Sequence, residues 1–206
     1  MKNMKKFMIT ALMAIVALGA YADDEPEFTV TSGSFVETVR QPGKTATVEF
    51  NYLDALTGNL KGNTLSDKTL REKLKTEDED AYNDWDDILE DSKEYFIKRW
   101  NEEKKHNVKM LEKGEGDYHF VFTANAFDSG NAGASYWSFS KRDGGITISG
   151  TLEIKDASGM TVCTLKIHRY RGASSRNVDF KFPTFKRRMQ MFHKSLAKDL
   201  LEDVTK

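Results

Sequence analysis

One stretch of this chain carries aromatic side chains that are neither helically nor alternately spaced. It runs from Asp128 to Gly145, DSGNAGASYWSFSKRDGG, and sets Tyr136, Trp137 and Phe139 among glycines and serines, with Lys141 and Arg142 following. Rings in a small-residue loop can grip a sugar, a peptide or a membrane interface at little entropic cost. An irregular connection of 18 residues between two strands is also long enough to be commonly functional or mobile. These five residues are therefore the candidate ligand-binding set. The competing reading, that the loop folds back and its rings extend the core, stands beside it.

The residue patterns of other chemistries are missing from the sequence. Gly133-Ala134-Ser135-Tyr136-Trp137 lacks the second glycine of a nucleophile elbow. Gly130-Asn131-Ala132-Gly133 has neither the Lys-Ser/Thr pair of a phosphate loop nor a helix after it. The four histidines, His106, His119, His168 and His193, are scattered, and no short ligand spacing puts two on one face. The expectation is accordingly no metal, no cofactor and no catalytic residue. Nine acids between Glu77 and Asp91 lack the loop glycine and terminal glutamate of an EF-hand, so they read as a solvated helix start. Eight Lys and Arg between Lys166 and Arg188 face Asp179 alone, which leaves two readings: they bind an anionic lipid headgroup or glycan, or they face the acidic helix.

Around these residues the pattern of elements is β-β-α-α-β-β-β-α. Phe28 to Arg40 and Thr45 to Tyr52 favour strands, and Gln41-Pro42-Gly43-Lys44 reads as the turn of a hairpin between them. Residues 54–65 read as a loop, followed by a short helix capped by Ser66 or Asp67 and carrying Leu70 and Leu74. Between Ala81 and Lys105 a long helix aligns Trp85, Leu89, Ser92, Phe96, Trp100 and Glu103, with Ile88 beside them; its two tryptophans read as core residues at a polar edge. Tyr118 to Ala126, Ile146 to Ile154 and Cys163 to His168 alternate as strands, the last two joined through Asp156-Ala157-Ser158-Gly159. A closing helix after Pro183 aligns Phe185, Met189, Phe192, Leu196 and Leu200. The fold expected is α+β and two-layered, a mostly antiparallel five-stranded sheet with its helices on one face.

Residues 1–22, MKNMKKFMITALMAIVALGAYA, have the basic start, apolar run and small residues of a secretory signal cleaved after Ala22, leaving one α+β domain over 23–206. Losing Lys2, Lys5 and Lys6 takes the formal charge from −1 to −4. An acidic exported chain is a poor nucleic-acid binder. After signal removal no segment is apolar enough to span a bilayer. A lone Cys163 cannot pair within the chain and its strand setting marks it as buried and inert. The signal, the Trp137 loop, the strand Ile148-Ser149-Gly150-Thr151-Leu152-Glu153-Ile154 before its turn and the final Ser195-Leu196-Ala197-Lys198-Asp199-Leu200 together resemble a group of small, uncharacterised exported envelope proteins of Gram-negative bacteria. At fold level the chain is also similar to the N-terminal domain of the periplasmic Tol-Pal propeller protein, which implies a docking module. The expected role is a non-enzymatic, periplasmic or secreted binding module whose partner is an envelope protein, glycan or lipid headgroup. Its rival is a periplasmic hydrolase using carboxylates that the sequence does not locate.

Overall fold

The computed structural model describes residues 25–130, 145–173 and 184–205. In chain order its elements are β1 (Phe28–Gly33), α1 (Phe35–Val39), β2 (Thr45–Asn51), β3 (Leu56–Asn59), β4 (Thr64–Thr69), α2 (Leu70–Glu77), α3 (Glu79–Asn83), α4 (Trp85–Glu102), β5 (Lys109–Met110), β6 (Tyr118–Asp128), β7 (Thr147–Asp156), β8 (Thr161–Arg171) and α5 (Phe185–Val204). The class is α+β, as the alternating and helical patterns imply. The sheet differs from the expected one: among the described residues it has eight strands, and it is mixed.

Its order is β1-β8-β7-β6-β2-β5. β6, β7 and β8 form the antiparallel meander that alternation predicts. β2 runs parallel to β6, and β3 continues along the same edge, also parallel, carrying β4 outside it.

The hairpin expected between 28–40 and 45–52 does not form. β1 pairs with β8, while β2 lies on the far side of β7 and β6. The first run is broken at Gly33, whose φ of 69° suits glycine and where a Cβ would meet the Val162 carbonyl oxygen at 2.0 Å. Ser34 then caps α1, its hydroxyl accepting from the Glu37 amide at 3.3 Å. Phe35, Thr38 and Val39 bury at helical spacing inside what reads as a β-branched strand. The expected 54–65 loop likewise contains β3, stapled to β6 and β4. The cap of α2 is Thr69, in a capping box with Glu72, in place of Ser66 or Asp67.

The two long helices bury the predicted stripes against one sheet face. Phe96 of α4 meets Phe50 at 5.3 Å and Phe122 at 5.6 Å, and Trp100 meets Phe120 at 5.4 Å. From α5, Phe192 and His193 pack on Tyr52, Tyr170 and Phe50. Both Trp85 and Trp100 are buried, and the Trp100 indole donates to the Val108 carbonyl at 2.9 Å. Cys163, Leu165 and Ile167 point into the same core, and burial pushes the thiol up to about 11. The opposite face carries Thr47, Glu49, Asn51, His119, Thr123 and Lys166, half-buried or exposed. No helix among the described residues is long and apolar enough to cross a membrane.

Candidate functional site

Tyr136, Trp137, Phe139, Lys141 and Arg142 lie at 131–144, outside the described residues. What the structure shows is the stem from which that segment leaves and to which it returns. Asp128 at the end of β6 pairs with Thr147 at the start of β7, and Thr147 pairs with Arg171 at the end of β8. The positions bracketing 131–144 thus sit beside the position from which 174–183 departs.

The stem is fastened on both sides. On the outgoing side the Asp128 carboxylate accepts from the Gly130 amide at 2.9 Å and the Leu60 amide at 3.2 Å, tying it to the residue after β3. Arg188 reaches across from the first turns of α5. It is only 7% exposed, and its Nη1 donates to the Ser129 carbonyl and, at 3.4 Å, to that of Gly130. Its guanidinium lies 5.5 Å over the Phe185 ring. Burial lowers its pKa, opposed by the negative charges of Asp78 and Asp128. Its Nε is a buried donor without a hydrogen-bond partner among the described residues. On the returning side Gly172 donates to the Ile146 carbonyl at 3.0 Å, and Ile146 is fully buried. Ala173 donates to the Ser195 hydroxyl at 2.9 Å. Sequence reasoning placed Arg188 in a general basic cluster. The available signal was a basic residue in register with the apolar stripe, one position before Met189.

Beside this stem lies a polar knot. The Tyr170 hydroxyl is 2.9 Å from both the Ser195 Oγ and the Asp199 Oδ2. Burial raises the Asp199 carboxyl against the stabilising Tyr170 hydrogen bond. Burial also raises Glu27, with Asp203 and Asp199 adding repulsion. A hydrolase would draw on these two carboxyls, yet Asp199 already serves as the acceptor that lets Tyr170 be buried.

The remaining ionisable groups are spread apart. His119 bonds Thr47 at 2.8 Å and Glu49 at 3.1 Å on the open sheet face. His168 lies 3.4 Å from Glu25. Within the acidic run Asp78 caps α3, Glu90 pairs with Lys93 and Asp91 pairs with Lys186. Asp91, Asp87 and Asp84 together raise the Lys186 pKa. Acidic helix and basic helix start therefore meet at this point, while Lys166 pairs with Glu25 at 2.7 Å.

No protein-family model matches the chain, and no curated protein matches it. Solved structures similar to it include the PelC dodecamer from Paraburkholderia phytofirmans, at 14% identity and a TM-score of 0.36, covering 84% of this chain and 97% of that one. A single-residue variant of that dodecamer matches at 14% identity and a TM-score of 0.33, covering 82% and 93%.

Proposed function

We propose that this protein is a non-enzymatic binding module of the cell envelope, exported with loss of residues 1–22, that holds its partner through the 128–145 connection. The observation that carries the reading is the built stem. A buried arginine and an aspartate fasten Ser129 and Gly130, and a buried Ile146 fastens the return. Binding residues are characteristically carried on loops set on a rigid scaffold, and this scaffold is a core in which the rings of Phe96, Phe122 and His193 pack around Phe50 beneath the sheet. Trp137, with Tyr136 and Phe139 as neighbours and Lys141 and Arg142 following, supplies the contact chemistry for an envelope protein, a glycan or a lipid headgroup.

Trp137→Ala tests the reading. Retention on immobilised peptidoglycan, anionic vesicles and envelope protein extract is compared with unfolding in urea. The expected outcome is weaker retention, by about 2 kcal/mol, on one of the three, with stability changed by less than about 1 kcal/mol. A loss of about 3–5 kcal/mol in stability would instead mark the ring as part of the core and end the proposal.

A further inference from the structure

Among the described residues three strands are paired on one side only: β1, β4 and β5. β4 presents Asp67 and Lys68, and β5 is two residues long and begins with Lys109. Charge and brevity of this kind deter a further strand from adding to a sheet edge. β1, FTVTSG, has neither device: its six residues are uncharged, and those from Thr29 to Gly33 are exposed.

The register of β1 on β8 fixes which of its backbone groups turn outward. Phe28 faces Ile167, Thr29 faces Lys166 and Val30 faces Leu165. The His168 amide donates to the Glu27 carbonyl at 2.9 Å, which makes Glu27 and His168 a hydrogen-bonded pair. Such pairs alternate along an antiparallel ladder, so Thr29 also bonds to β8, while the N–H and C=O of Phe28 and of Val30 point away from it. Val30 lies opposite the fully buried Leu165 yet is itself 39% exposed, an apolar side chain at the border of the core with one flank open. Pro26, which has no N–H to offer, bounds this strip on one side, and the irregularity between Val30 and Ser32 bounds it on the other.

We propose that β1 pairs antiparallel with β1 of a second copy of this chain, about a two-fold axis at Thr29, independently of the 128–145 connection. In that register Phe28 of each copy faces Val30 of the other, and their outward groups make about four hydrogen bonds between the copies. Phe28 and Val30 lie on one face of β1, so each Phe28 covers the open flank of the other copy's Val30. The contact is isologous and closes on itself. Its charges are compatible: Glu27 falls opposite Thr31 and Glu25 opposite Gly33, so no two carboxylates face each other. A strip this short buries far less than the roughly 1,200–2,000 Å² of a stable interface, so the dimer is a reversible one that forms at high protein concentration.

Sedimentation equilibrium of the purified protein, from micromolar to millimolar concentration, tests the pairing. A monomer–dimer equilibrium is expected, its dissociation constant raised about tenfold or more by Val30→Lys and unchanged by Leu65→Lys on the exposed face of β4. A protein that stays monomeric throughout the range overturns the proposal, as does association that Val30→Lys does not weaken or that Leu65→Lys weakens equally. Should Val30→Lys fail to fold, the amide resonances of the wild-type protein decide. Concentration-dependent shifts at Phe28 and Val30 support the pairing, and unchanged resonances at those two amides refute it.

Discussion

At the scale of single residues, His193 shows how a titratable group is accommodated in an aromatic core. Its Nδ1 donates to the Met189 carbonyl at 2.8 Å and its Nε2 accepts from the Tyr52 hydroxyl at 3.1 Å, so the neutral ring is fully partnered. Burial pushes its pKa down to about 4. The unfolded chain therefore binds a proton near pH 6.5 that the folded chain takes up only near 4. Stability from this group is complete above pH 6.5 and is lost as pH falls through that window, by about 3 kcal/mol at the acid end. Urea unfolding at pH 7 and pH 4.5 should show a wild-type loss of about 2–3 kcal/mol that His193→Gln largely removes. An equal loss in both proteins would contradict the assignment. Asp117 acts in a lower window, because Lys44 and the Thr45 N–H and hydroxyl hold its carboxyl at about 2, and its contribution fades only as pH falls below the ordinary aspartate value. The position of His193 on the apolar stripe of its helix, four residues after Met189, is legible in the sequence. Its partner Tyr52 lies 141 residues away, and no local pattern reaches that far.

At the scale of elements, a glycine within β7 and a glycine in the turn that follows it play opposite parts. Gly150 of β7 passes so close to β6 that a Cβ would sit 2.1 Å from the Thr123 carbonyl oxygen, a backbone atom that cannot step aside. Gly159, in the turn to β8, has φ of +83° and nothing within 4 Å of its Cβ position. Gly150→Ala should cost about 3 kcal/mol in unfolding free energy through overpacking and loss of register, and Gly159→Ala about 1 kcal/mol through the left-handed backbone alone. Comparable costs for the two would show that the strands part more easily than the packing implies. The turn glycine is readable from Asp156-Ala157-Ser158-Gly159 because turn chemistry is local. The strand glycine is not, since its necessity comes from which strand lies beside it.

At the scale of the whole molecule, the export reading makes a direct prediction: protein recovered from the envelope of the expressing cell begins at Asp23 by intact mass, and retention of residues 1–22 would end it. The same scale separates what the chain determines locally from what only folding decides. Helical stripes over Trp85 to Trp100 and Phe185 to Leu200, and alternation over Tyr118 to Ala126 and Cys163 to Ile167, follow from residue periodicity, because a face that must bury repeats with the period of its backbone. The α+β class follows from those elements. Strand order does not. β1 and β2 look like one hairpin because a proline-glycine turn lies between two β-rich runs, yet they end on separate parts of the sheet. The close pass at Gly33 ends the first strand, and parallel pairing of β2 with β6 satisfies backbone groups that a hairpin would have used. The clamp of Arg188 on Ser129 and the bond of the Tyr52 hydroxyl to His193 were hidden for the same reason. Each depends on a contact or an environment made when distant segments are packed together, and residue spacing carries no record of which segments those will be.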